Sequence, residues 1–200
     1  MLSKNCQFVL TASIFIILWG TYITFGNVLT PLFEGIFTSS QTSIIGGIFV
    51  IAGVLGSYLM GFFLDKTQKH RLGMRIVSFS VTAIILAGII VLETGILGWT
   101  CLFSFMLGLM ILPILPSSYG FAGKVTGTVP PAVVNGLMMS GAQLYSFFAS
   151  LITSALLGHS RFAGYGFIAV TVCIGSLCTV FVKDEESLKR LESDSDSIDD

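Results

Sequence analysis

The chain has 200 residues, of which 54 % are hydrophobic and 10 % charged, with a formal net charge of −1 and a mean hydropathy of +0.90. That is too little polar surface to cover a soluble globule of this size, so the composition points to a membrane protein.

The hydrocarbon core of a bilayer accepts about 20 mostly apolar residues per helix. Uncharged runs near that length occupy about 8 to 30, 43 to 64, 76 to 92, 97 to 118, 132 to 157 and 163 to 182. They are continuous, unlike the alternating segments of about 10 residues that build a membrane β-barrel. The expected fold is therefore an all-α membrane protein, a bundle of six transmembrane helices. The first run is too long for the core of a signal peptide and has only Lys4 before it, so it reads as a true span.

In the first helix Phe15, Trp19, Tyr22, Gly26 and Thr30 share one face, with Asn27 at its edge. Trp19 falls near mid-span, away from the interface where Trp usually anchors. Such a stripe can hold an organic cation over its rings, and lipid contact or bundle packing is the other reading. The second helix carries Gly46, Gly53, Gly56 and Gly61, with Ala52 and Ser57 four residues before the last two. These small-xxx-small pairs let another helix approach closely.

The stretch "GFFLDKTQKHR" at 61–71 follows. Of ten charged residues in the first 182, five lie between 65 and 75. The fourth helix ends in "ILPILPSSYGFAGK", where Pro113 and Pro116 remove backbone donors and should kink it. The fifth reads "NGLMMSGAQLYSFFAS" and bears a polar stripe of Gly136, Ser140, Gln143, Ser146 and Ser150. An amide at the mid-membrane depth of Gln143 costs several kcal/mol, roughly, if left to lipid, so it is expected to face protein or a water-filled path. Helix-to-helix bonding and substrate binding both satisfy that demand.

Lys and Arg beside short loops mark the cytoplasmic side. With the N-terminus inside, Lys4, Lys66, Lys69, Arg71, Arg75, Lys124, Lys183, Lys189 and Arg190 all fall inside and only Arg161 outside. Both termini are thus expected in the cytoplasm. Residues 184–200, "DEESLKRLESDSDSIDD", hold eight acidic and two basic residues and read as a disordered tail. Ser193 and Ser197 each have an acid three residues later, a pattern that acid-directed kinases favour. Cys6, Cys101, Cys173 and Cys178 have no metal spacing and read as small packing residues. His70 and His159 fall in expected loops, and the signatures HExxH, GxSxG and the phosphate loop are missing. Neither an enzyme, a cofactor nor a metal site is expected.

"GFFLDKTQKHR" resembles the loop motif of the major facilitator superfamily, carried here by Gly61, Asp65, Lys66, Lys69 and Arg71. With "IAGVLGSYLMGFFLDKTQKHR", "LPSSYGFAGKVTGTVP" and "NGLMMSGAQLYSFFAS", residues 8 to 183 look like the C-terminal half of the family related to the feline leukaemia virus subgroup C receptor. The resemblance implies half of a twelve-helix major facilitator fold, alternating access, and choline-, ethanolamine- or haem-like substrates. It places Gln143 at a glutamine that faces the family's substrate cavity. A family aromatic falls at Asn27, and two family acids fall at Gly120 and Lys124.

The expected activity is transmembrane movement of a small organic solute, with Trp19, Tyr22, Asn27, Ser140 and Gln143 lining the cavity. The partners implied are the lipid bilayer, the solute and a second six-helix half, with no nucleic acid. The rival reading is a non-transporting assembly or receptor subunit, or an inactive fragment. Asp65 is expected to sit at the helix end, to pair locally with a basic residue, or to face a helix N-terminus.

Overall fold

A computed structural model describes residues 6–127 and 129–182. The acidic stretch 184–200, with Ser193 and Ser197, lies outside the described residues. Among the described residues seven helices follow one another: α1 Cys6–Phe33, α2 Ser39–Thr67, α3 His70–Thr94, α4 Leu97–Ile111, α5 Ile114–Thr126, α6 Pro131–Leu157 and α7 Arg161–Val180. They form six elements long and apolar enough to cross a bilayer, because α4 and α5 together make one span, Leu97–Thr126. The chain is a multi-pass, all-α membrane protein.

Local chemistry sets the ends. Thr38 and Gln41 form a reciprocal capping box at the start of α2, with Thr38 N donating to Gln41 Oε1 at 3.0 Å and Gln41 N to Thr38 Oγ1 at 3.4 Å. The same helix stops at Gln68, whose left-handed φ of 56° turns its N–H back to the Leu64 carbonyl. Gly95, at φ +60°, ends α3 with a bond to Val91 O. Pro113 has no N–H for the carbonyl of Leu109 four residues earlier, and the span breaks there. Pro116 sits in the first turn of α5, where backbone donors have no helical partner to lose.

The expectation that His70 lies in a loop is corrected: it is the first residue of α3 and is buried. Gly120 of α5 makes this possible, since a β-carbon there would collide with the imidazole. Arg71 and Arg75 also lie within α3, one turn further into the helix than the apolar run suggests. Charged side chains at a helix end can reach water while their backbone stays helical.

Packing is tightest where side chains are smallest. The main seams join α2 to α4, α1 to α6 and α7, and α3 to α7. On the α2–α4 seam Gly53 meets the side chain of Leu112, and Gly108 lies beneath the carbonyl of Phe49. Gly61 has nothing near the position of a β-carbon, so only part of the glycine row serves this contact. The α3–α7 seam is hydroxyl-rich instead. Thr82 and Ser176 share a 2.5 Å hydrogen bond, Ser176 donates to Ser78 O at 2.9 Å, and Thr179 donates to Ser176 O at 2.6 Å. Higher on the same pair of helices, buried Tyr165 donates to Ile85 O at 2.7 Å.

Candidate functional site

The aromatic face of α1 forms part of a continuous run of rings. Trp19 stacks on Tyr22 with centroids 5.0 Å apart, and Tyr22 stacks on Phe49 of α2 at the same separation. On the other side Trp19 lies 6.1 Å from Phe15, which meets Tyr119 of α5 at 5.2 Å. Phe15 is fully buried, whereas Trp19, Tyr22 and Tyr119 are half-buried. Phe49 and Tyr119 escaped sequence reasoning because a lone aromatic in an apolar span carries no periodic signal; only the break at Pro113 draws attention near Tyr119.

The indole Nε1 of Trp19 is buried and has no hydrogen-bond partner among the described residues. Further along α1 the stripe turns outward, leaving Gly26, Asn27 and Thr30 exposed. The Asn27 amide crosses to α6 and donates to Ser150 Oγ at 3.2 Å.

The polar stripe of α6 is split between two environments. Ser146 is buried and donates to Gln143 O at 2.9 Å, whereas Ser140 and Gln143 are exposed. The side-chain amide of Gln143 makes no hydrogen bond among the described residues. Ser140 borders a groove of about 500 Å³ between α1 and α6, whose walls include Phe8, Ser13, Ile16, Met138 and Leu144. Thus Asn27 and Ser150 are joined, Trp19 and Tyr22 are joined, and Gln143 is bonded to neither pair.

This exposure is uneven around the bundle. Every exposed position of α3 between Leu72 and Ile90, and of α7 between Phe162 and Val180, is apolar, as a lipid-facing surface requires. On α1 and α6 the exposed set includes Asn27, Thr30, Ser140 and Gln143.

The charged loop occupies one end of the bundle. Asp65 lies exposed in the last turn of α2, and among the described residues no ion pair reaches its carboxylate. Lys66 places its ammonium 4.3 Å from the ring centre of Phe62. Lys69 is the exposed N-cap residue of α3, and Arg71 follows in its first turn. Among the described residues no three His, Cys, Asp or Glu side chains gather to hold a metal.

Stacked electron-rich rings can hold a small cation; here the run of rings joins α1 to α2 and α5, while the exposed amide and hydroxyl groups lie on α1 and α6. The chain is 29 % identical over 158 residues to the choline/ethanolamine transporter flvcr2a of Danio rerio, a match covering 76 % of this chain and 32 % of that protein. It is 29 % identical over 198 residues to the choline/ethanolamine transporter FLVCR1 of Felis catus, covering 92 % and 33 %. The chain is thus similar to proteins named as transporters. An uncharacterised MFS-type transporter of Caenorhabditis elegans matches at 21 % over 88 % of the chain and 30 % of its own length. No family model matches. The chain spans about a third of the length of the curated relatives it matches.

Proposed function

We propose that the chain is one six-helix half of an alternating-access transporter for a small organic solute of choline or ethanolamine type, working against a second six-helix half. The observation that carries this reading is the exposed amide of Gln143, with Asn27, Thr30 and Ser140, on the α1 and α6 side of the bundle. A polar group left to hydrocarbon costs several kcal/mol, roughly. This side therefore needs protein and water, which a second half enclosing an aqueous path would supply. Trp19 and Tyr22 would meet the cationic group through their ring faces, and Gln143 and Ser140 would hydrogen-bond its hydroxyl or amine. The names of the relatives support the solute class.

In this reading both termini are cytoplasmic, since nine of the ten Lys and Arg residues then lie inside. Asp65 would act at the contact between the halves, and residues 184–200 would be a solvated tail.

Uptake of labelled choline and ethanolamine into cells expressing the chain tests the proposal. Gln143→Ala, at matched expression, is expected to lower uptake several-fold; equal uptake by the two proteins counts against the site. A chain that stays strictly monomeric when its membranes are cross-linked counts against the second half.

A further inference from the structure

Pro31 lies in the last turn of α1. Having no N–H, it donates nothing to the carbonyl of Asn27 four residues earlier. Gly26, Asn27 and Thr30, which flank that carbonyl, are exposed, and a β-carbon on Gly26 would meet nothing. A ligand can therefore approach the backbone here.

The neighbouring side chains add acceptors. A Thr hydroxyl in a helix reaches the carbonyls three and four residues before it, so Thr30 Oγ1 stands beside Asn27 O. The Asn27 amide donates to Ser150 Oγ at 3.2 Å, which holds the side chain and leaves Oδ1 as an acceptor. Among the described residues neither Asn27 Oδ1 nor Thr30 Oγ1 makes a hydrogen bond. Three oxygens are thus gathered on one turn of α1, close to its negative end. Arg161 shows what that end attracts, since its guanidinium donates to Glu34 O at 2.8 Å.

We propose that Asn27 O, Asn27 Oδ1 and Thr30 Oγ1 form a subsite for a primary ammonium group, separate from the rings of Trp19 and Tyr22. The kind of donor selects the ligand. A primary ammonium carries three N–H donors and a charge, whereas a hard metal ion asks for about six oxygens or more. A quaternary ammonium has no N–H to offer and gains only from ring faces. Those rings lie elsewhere, because Asn27 is about 7.5 Å along the helix axis from Tyr22 and aromatic side chains on a helix lean toward its N-terminus, away from Asn27. The subsite therefore separates ethanolamine-type from choline-type cations, both of which ring faces hold. It rests on the transport reading in needing water on the α1 and α6 side. The ethanolamine headgroup of a phospholipid presents the same ammonium as the free amine, and lipid composition tells the two sources apart.

Asn27–Val28 is the one Asn–Val pair in the chain, so isotope-labelled Asn carbonyl and Val nitrogen together mark the Asn27 carbonyl alone in solid-state NMR. The full chain, with whatever partner it retains, is placed in phosphatidylcholine bilayers. Ethanolamine should move that resonance saturably, and choline at the same concentration should leave it in place. Pro31→Ala supplies the missing N–H and suits a helix, while Thr30→Val removes the hydroxyl and keeps the shape. Each should weaken ethanolamine binding about tenfold, as loss of one charge-assisted hydrogen bond does, with choline-dependent thermal stabilisation within about twofold of wild type. A resonance that neither amine moves, or that both move equally, overturns the proposal, as does an ethanolamine affinity unchanged in Pro31→Ala. So does a resonance already at its bonded position in phosphatidylcholine without amine, since a group of the protein or water then fills the subsite. The same shift in bilayers containing phosphatidylethanolamine, before any free amine is added, upholds the subsite and names the lipid as its source. Ethanolamine bound at Asn27 with no uptake of either amine would sink the transport reading and leave the subsite standing.

Discussion

The backbone carbonyl of Leu109 lies so close over Gly56 that a β-carbon on Gly56 would overlap it. The two features belong together. Pro113 has no N–H to donate to that carbonyl, and Gly56 leaves room for its oxygen between α2 and α4. Gly108, one residue earlier, lies beneath the carbonyl of Phe49 in the reciprocal contact. Both helices thus bring backbone against backbone, where close packing rather than the hydrophobic effect holds membrane helices together.

Replacement of Gly56 by Ala should push α2 from α4 and lower stability by about 1–3 kcal/mol, and Gly108→Ala should do the same. Because the two contacts share one seam, the double variant is expected to depart from additivity. Gly61→Ala is the control. It fills open space and should be neutral or stabilising by about 0.5–1 kcal/mol, through its better helix propensity. Thermal unfolding in detergent, followed by loss of the monodisperse species, measures all four variants.

Arg75 stands at the negative end of α7 and donates to two of its terminal carbonyls. Arg75→Gln removes the charge and should cost about 1–2 kcal/mol. Hydrogen exchange of amides near the end of α7 gives the local readout, faster in the variant. Unchanged exchange there would show that the cap contributes nothing.

Tyr165→Phe removes the buried hydroxyl that donates to Ile85 O. A loss of about 1 kcal/mol is expected, since the acceptor carbonyl keeps its place in α3. Gly88→Ala should be worse, because its β-carbon would overlap that hydroxyl and press on the ring of Phe103.

Six spans and the break near Pro113 are legible in the sequence because each rests on a local property, an apolar run of sufficient length or a missing donor. The close pairing of Gly53 and Gly56 with α4 is partly legible through their spacing. Which glycines stay open, as Gly61 does, depends on where the neighbouring helix crosses, and no local pattern encodes that. The start of α3 was obscured for a related reason. "KHR" reads as a loop by its charge, yet Gly120, fifty residues later, opens a notch that seats His70 inside the helix packing. The candidate site divides the same way. Trp19 and Tyr22 were visible by helical spacing, whereas Phe49 and Tyr119 join them only through tertiary contact. Gln143, expected to face protein or a water-filled path, is left exposed by the chain's own helices.

The ring ladder makes a prediction that separates charge recognition from simple apolar fit. A quaternary ammonium over Trp19 and Tyr22 gains from the negative ring faces, by about 0.5–2 kcal/mol per ring according to its desolvation. Trp19→Leu or Tyr22→Leu keeps apolar bulk and removes the π face, so choline should bind roughly two- to thirtyfold more weakly. Tyr22→Phe keeps the face and should bind almost as well as wild type. The measurement is the choline-dependent rise in thermal stability of the detergent-extracted protein with whatever partner it retains. The uncharged carbon analogue of choline, 3,3-dimethylbutanol, is the decisive comparison. It has the same shape without the charge, and should stabilise wild type far less than choline does. If both ligands stabilise wild type equally, or if Trp19→Leu leaves the difference between them intact, the rings serve only to pack α1 against α2 and α5.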